Sequence, residues 1–279
     1  MTLKSATRII LSGCLEITLL KTAVMLSMDP VTVFLYAAFP YIALVLFVGG
    51  VLYRLWGWFS AGGLTGLYSV AVKAYSWGFS ERLSEVLKRV FLLYTLTMSD
   101  RLLLVGSFLF HWGIWMALLG HLSMIVPPEQ FGMPKDLHKA IALYVGGAAG
   151  VLSLAGLALL LIRRAARPDV RRLSFLDDWF ALVLLFALIA LGNYQTLVLH
   201  PPYMETVAPW VQSVLMGSPR LDLVAQWDAA TKIHVFLALL FIAYVPFGKL
   251  IHPFSFLAMP TLWTQPTKLY GYLLALLRR

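Results

Sequence analysis

Five separate stretches of this chain each run for about 20 residues or more without a central charge, at about 31–53, 102–126, 138–162, 175–199 and 231–251. A bilayer presents a hydrocarbon core about 30 Å thick, which roughly 20 apolar residues cross as a helix. The runs are continuous rather than alternating, and backbone groups in lipid must be satisfied within the segment, so helices are expected and a barrel is not. Composition agrees: 60% of the 279 residues are hydrophobic and only 13% are charged, against roughly a quarter charged in soluble domains. The expected fold is therefore all-α, a polytopic membrane bundle of five transmembrane helices.

The net charge of +9 would point to nucleic acid in a soluble protein. Here its distribution matters more, and no nucleic-acid partner is expected. Arg54, Lys73, Arg82, Lys88, Arg89 and Arg101 lie between spans 1 and 2, Arg163, Arg164, Arg167, Arg171 and Arg172 follow span 3, and Lys268, Arg278 and Arg279 are in the tail. All fall on one side if five helices alternate. The 127–137 and 200–230 connections hold only Lys135 and Arg220 beside Glu129, Asp136, Glu205, Asp222 and Asp228. The positive-inside rule places the start of span 1 outside and the C-terminus in the cytoplasm, making this a multi-pass protein of the cell membrane. The lone cysteine, Cys14, excludes a disulfide framework and a cysteine-ligated cluster.

Residues 1–30 read as an apolar, interfacial segment, since Glu16 and Lys21 interrupt the stretch from Ile9 to Met28 and uncompensated charges are costly inside a bilayer. Leu11 to Cys14 has the form of a lipoprotein cleavage site, but too few apolar residues precede it for a signal segment. Met25 and Met28 are alternative starts just ahead of span 1. The 54–100 loop is long for a helical bundle. Its Trp56, Trp58, Phe59 and Tyr68, followed by a basic, amphipathic 80–95 stretch, suit a helix lying on the inner membrane surface or against a partner. A headgroup-anchoring loop fits those residues equally.

The six histidines are the chemically informative residues: His111, His121, His138, His200, His234 and His252. His234 and His252 are 18 residues apart, which on a continuous helix is five full turns, on one face and about 27 Å apart. His111 and His121 are 10 residues apart, about 15 Å in rise. Spans 2 and 5 run antiparallel, so His111 shares the depth of His252, and His121 that of His234. Two imidazole pairs at two depths suit two bis-histidine haems of b type. Gly113, Gly120, Gly146, Gly147 and Gly150 are expected to let a flat ring approach the backbone. Interhelical hydrogen bonding or a proton relay is the competing reading of the same residues. His200, beside Pro201 and Pro202, reads as a loop histidine without a ligand role. Asp177 and Asp178 open span 4, where they complement the helix dipole, with Arg171 or Arg172 as ionic contacts.

Several local runs stand out together: Phe39-Pro40-Tyr41-Ile42; Phe110-His111-Trp112-Gly113-Ile114 with Gly120 and His121; Gly146-Gly147-Ala148-Ala149-Gly150-Val151; the Arg163-Arg164 pair with Pro168 to Arg172; and His234, Pro246, Phe247, Leu250, Ile251, His252 and Ser255. In these the chain resembles the gamma subunit family of respiratory nitrate reductase, five-span dihaem cytochromes b. The wider group includes membrane cytochromes of sulfite-reduction-associated and heterodisulfide reductase complexes. The resemblance covers residue 36 to about 262, interrupted by the 54–100 loop. It implies a dihaem domain over 31–262 and a cytoplasmic tail over 263–279. It also implies an inner haem iron on His111 and His252, an outer one on His121 and His234, and a quinol pocket at the outer haem. Nitrate reductase members carry a lysine at the start of span 3. An ungapped count places His138 there, with Lys139 adjacent and Gly120 near the pocket. Arg163, Arg164 and Lys249 are candidates to hold haem propionates as ion pairs.

The expectation is a membrane-anchoring subunit that oxidises quinol near the outer face. It passes electrons through two b haems to a cytoplasmic-side iron–sulfur subunit, and on to a catalytic subunit, of a reductase of the nitrate reductase type. The alternative within the family is the equivalent subunit of a sulfite-linked or heterodisulfide-reductase-like complex. From another class, a haemless histidine-relay transporter or quinone-binding anchor predicts a colourless protein.

Overall fold

The computed structural model describes residues 28–60, 78–98 and 100–258. Residues 1–27, with Cys14, and the 263–279 tail lie outside the described residues, so the interfacial segment and the tail are not placed. No strand occurs among the described residues. Among the described residues four helices are long and apolar enough to cross a membrane: α1 (Pro30–Ser60), α3 (Arg101–Met124), α4 (Lys135–Ala166) and α5 (Leu176–Leu199). Between α1 and α3 lies α2 (Phe79–Leu92). The α5 helix is followed by α6 (Val207–Leu215) and α7 (Ala229–Tyr244).

Aspartates start three of these helices. Asp29 accepts from Thr32 N at 2.9 Å ahead of Pro30, Asp100 from Leu103 N at 2.9 Å, and Asp228 from Thr231 N at 2.7 Å. Each occupies an otherwise orphaned donor of a first turn. At the start of α5 the backbone N–H of Phe175 donates to Asp178 Oδ2 at 3.0 Å. Wider π turns interrupt α1 at Phe34–Ala38, α4 at Ala142–Gly146 and α5 at Gln195–Leu199. All three are at the end of the bundle away from Arg163 and Arg164.

The sequence reading of a fifth continuous helix over 231–251 is corrected. The α7 helix stops at Tyr244, and the segment Lys249–Ser255 leaves it at 82°. Proline brings no amide hydrogen and clashes with the preceding turn. Pro246 does so here while wedged against α1, where a Cβ on Gly50 would collide with its ring. The pair counts as one span only if both arms are taken together.

Small residues set the tightest packing. A Cβ on Gly113 would collide with Ser153 and the Ala149 carbonyl, and one on Gly156 with the backbone of Phe110 and the Gly106 carbonyl. The backbones of α3 and α4 therefore touch, as membrane helices do where side chains are absent. Ser153, fully buried at that contact, donates to the Ala149 carbonyl at 2.8 Å. Leu157, Leu185 and Ile189 then join α4 to α5, with Phe241 of α7 against them. Outward, Val45 and Leu52 of α1 are bare, as a lipid-facing surface requires.

Residues 200–228 fold over the end of the bundle. Tyr36, Trp210 and Trp227 pack edge to face at centroid separations of 5.1 to 6.3 Å. Tyr36 donates to the Lys232 carbonyl at 2.7 Å, and Gln212 of α6 to the Met124 carbonyl at 3.0 Å. At the opposite end the amphipathic α2 docks on α3: Trp112 Nε1 donates to the Phe91 carbonyl at 3.1 Å, and the Phe91 ring lies 5.1 Å from that of Trp115.

Candidate functional site

The four span histidines meet in two pairs. His111 of α3 lies 5.8 Å from His252, centroid to centroid, with ring planes 73° apart. His121, at the other end of α3, lies 6.4 Å from His234 of α7 with planes 28° apart. The nine residues between His111 and His121 are continuous helix, so the two pairs are separated by about 15 Å along α3. The break after Tyr244 removes the premise that one straight face carries His234 and His252. Both still reach their partners, because the segment after the break turns back towards α3.

Backbone carbonyls fix three of the four rings. His111 Nδ1 meets the Ser107 carbonyl at 2.7 Å, His121 Nδ1 the Ala117 carbonyl at 2.7 Å, and His252 Nδ1 the Lys249 carbonyl at 3.0 Å. A carbonyl only accepts, so Nδ1 carries the hydrogen and Nε2 keeps its lone pair. The Nδ1 of His234 is buried, with the Leu188 backbone near it but outside hydrogen-bond geometry. A Cβ on Gly192 of α5 would press on that ring at 3.0 Å.

This donor set fits a metal held in a macrocycle. Two imidazole nitrogens about 2 Å either side of one metal put the ring centroids roughly 6 Å apart. Among the described residues no three or more His, Cys, Asp or Glu gather as a metal site. Each pair offers two imidazole nitrogens, a donor set that a macrocycle-held metal could use.

The glycines expected beside a flat ring divide differently. Gly113 is spent on α4, while Gly147 packs on Leu197 and Gly150 on the Asn193 amide. Only Gly120 and Gly146 of that set face open space. Helix contact, not ring access, explains the other three.

The bases expected at propionates have partners within the chain. Arg163 holds Asp100 at 2.7 Å, Arg164 donates to Ser174 Oγ at 2.6 Å and lies 3.6 Å from Asp178, and Lys249 grips both Asp178 oxygens at 2.7 Å. A propionate would share these bases. Asp178 therefore pairs with Arg164 and Lys249, not with Arg171 or Arg172. Hydrogen bonds from Arg163 and from the Leu103 amide hold the Asp100 carboxyl down at about 2.

At the opposite end His138 is buried and its Nδ1 lies 2.6 Å from Glu129 Oε1. Tyr203 packs edge-on against the same ring at 6.0 Å. Lys139 turns to the surface, 3.6 Å from Glu205, with both side chains more than half exposed. Sequence reasoning gave no site role to Asp100, Glu129 or Tyr203 and gave Asp178 the wrong ionic partners. Three of them are acids close to span ends, a signal that marks a cap or an ion pair without naming its partner.

The family model described as nitrate reductase gamma subunit matches residues 95–270. Nitrate reductase-like protein NarX of Mycobacterium tuberculosis is 33% identical over 166 residues, 56% of this chain and 26% of that protein. The chain thus spans about a quarter of NarX. Nitrate reductase gamma chain of Bacillus subtilis is 26% identical over 229 residues, 79% of this chain and 90% of that protein. The Hdr-like menaquinol oxidoreductase cytochrome b-like subunit of Archaeoglobus fulgidus is 25% identical over 261 residues, 80% of this chain and 76% of that protein.

Proposed function

This chain belongs to the nitrate reductase gamma subunit family, and from that premise we propose that it is the dihaem cytochrome b subunit anchoring a respiratory reductase in the cell membrane. It oxidises quinol at the His121–His234 end and delivers electrons to an iron–sulfur subunit, and through it to a catalytic subunit, at the arginine-rich end. That end faces the cytoplasm. The observation that carries the reading is the pair of imidazole couples at ring separations of 5.8 and 6.4 Å, built from α3, α7 and the segment after its break.

His111 with His252 and His121 with His234 would hold haem, which would supply one-electron transfer. The chain's own residues do the rest. The α3 carbonyls of Ser107 and Ala117 hold two imidazoles in the tautomer that presents Nε2. The exposed apolar faces of α1 keep the subunit in lipid. The Arg163–Asp100 and Lys249–Asp178 pairs close the arginine-rich end and present cations to a partner surface or to propionates. At the other end the open flank of Gly120 and the polar group around His138 border the quinol site, with Lys139 at its rim.

A second reading keeps the same electron path and changes the partner. The match to the Hdr-like relative extends over 80% of this chain, level with the 79% shared with the Bacillus subtilis gamma chain, and keeps an iron–sulfur protein of the heterodisulfide-reductase type as the second partner. The test is a reduced-minus-oxidised spectrum of the protein purified from membranes, followed by identification of the subunits that copurify. Two low-spin b-type haems are expected. A colourless protein overturns the reading in favour of a histidine relay or a haemless anchor, and the copurifying iron–sulfur subunit decides between the two partners.

A further inference from the structure

The most unusual polar group outside the two histidine couples is a carboxylate–imidazole contact at the end of the bundle that holds His121 and His234. His138 is 7% exposed, and its Nδ1 sits 2.6 Å from Glu129 Oε1. A carboxylate can only accept, so Nδ1 carries the hydrogen and Nε2 is left with a lone pair. Among the described residues no hydrogen bond reaches that Nε2. The Tyr203 hydroxyl, beside the same ring, is buried and also unpartnered. An unmatched acceptor and an unmatched donor thus belong to two rings with centroids 6.0 Å apart, and the hydroxyls of a hydroquinone complement both. The charges around them are Lys135, which acts on Glu129, Glu205, which acts on Tyr203, and Lys139, which is paired to Glu205. The hydrogen bond from His138 holds the Glu129 carboxyl below the usual carboxylate range, so it is an anion at neutral pH. Burial pushes the Tyr203 phenol up, reinforced by Glu129 and Glu205, so it keeps its proton.

We propose that Glu129 and His138 form the dyad that accepts a proton from quinol, with Glu129 the positioning residue and exit to water. The proposal rests on the quinol reading above. In the step, the quinol O–H bond breaks and an Nε2–H bond forms, leaving the electron pair on the substrate oxygen. Electrons depart separately, one at a time, to the acceptor of the proposed function. The Nδ1 proton then passes to the Glu129 carboxylate, which is 20% exposed, and from there to water, leaving a neutral ring with its hydrogen on Nε2. Loss of that Nε2 proton to water and return of one from water through Glu129 to Nδ1, after the product leaves, reset the dyad. A lysine at position 138 could hydrogen-bond a quinone, but it could not run this two-nitrogen exchange.

The experiment uses membranes holding the assembled complex and follows reduction of the b-type absorbance by reduced menadione and, in parallel, a reduced short-chain ubiquinone. Glu129→Gln is expected to lower kcat by about 10- to 100-fold, part of the range for positioned acid–base groups. KM should change less than threefold, and the spectrum after chemical reduction should be unaltered. Glu129→Asp should recover much of the rate. The double variant Glu129→Gln/His138→Gln should be no slower than His138→Gln alone. A Glu129→Gln protein that keeps its kcat, or whose loss lies wholly in KM, overturns the dyad. Additive losses in the double variant do the same. If Glu129→Gln fails to accumulate, the comparison of Glu129→Asp with wild type carries the test, and an equal loss of haem in both marks a structural role and overturns it. A wild-type protein that neither quinol reduces overturns the quinol reading itself, whereas a wild type that responds beside an unaffected Glu129→Gln removes only the dyad.

Discussion

The two histidine couples share a helix and differ in everything else. On α3, His111 and His121 are held alike, each by the carbonyl four residues before it at 2.7 Å. Their partners are not alike. His234 stands in the uninterrupted α7 with Nδ1 unmatched and its ring against Gly192. His252 follows the 82° break and takes its own carbonyl, Lys249, at 3.0 Å. The rings are 28° apart in the first couple and 73° apart in the second. One rigid arm serves both couples, and the individuality of each comes from how the last span is built around it.

Four changes would break or sharpen that contrast. The largest effect is expected from removing one imidazole. His111→Ala or His252→Ala should take away one b-type component of the reduced spectrum and spare the other, and His121→Ala or His234→Ala should do the converse. Loss of both components from any single change would show that the couples are not independent. Next, Gly50→Val should disturb only the His111–His252 couple, because its side chain would drive into Pro246 at the break. Overpacking of this kind costs about 1–3 kcal/mol, read as a shifted midpoint potential or a lower thermal midpoint with the other component unchanged. Gly192→Ala should act on the other couple and more weakly, since His234 Cε1 lies 3.0 Å from the added methyl and has to move only slightly. A small shift in the potential of that component alone is the expected readout.

The smallest effect concerns pH. Asp100 is depressed to about 2 by Arg163 and the Leu103 amide, against about 3.9 when unfolded. Its contribution is therefore complete above about pH 4 and is lost as the pH falls through about 2. Thermal midpoints of the solubilised protein should decline over that window, and Asp100→Asn should flatten the decline without touching the spectrum of the His121–His234 couple.

Much of this was legible in the sequence. Hydropathy and length located α1, α3, α4 and α5 to within a few residues at most ends, because a bilayer imposes a minimum run that little else in a chain imitates. The pairing of His111 with His252 and of His121 with His234 followed from depth alone and did not require the straight helix from which it was argued. That helix was the error. Pro246 and Gly248 were visible, but apolar composition continued past them, and periodicity does not register a bend. Side-chain partnerships were illegible for a different reason. Asp178 reaches Lys249 across 71 positions and Asp100 reaches Arg163 across 63, and no local rule couples residues at such separations. The Glu129–His138 contact lies only nine residues apart, yet it depends on a turn through Pro128, Gly132 and Pro134 whose path is a tertiary matter. The glycines misled because a small residue permits approach without saying by what.

The contact between α3 and α4 through Gly113 and Gly156 has a consequence for biogenesis. These two helices can assemble as a hairpin while the rest of the chain is still being made, and that hairpin carries one half of each histidine couple. The other halves, His234 and His252, both reside in the last described span. Neither couple can form until that span has entered the bilayer, so on the proposed haem reading cofactor delivery would wait for the end of insertion, and a stalled chain would hold two open hands and grip nothing.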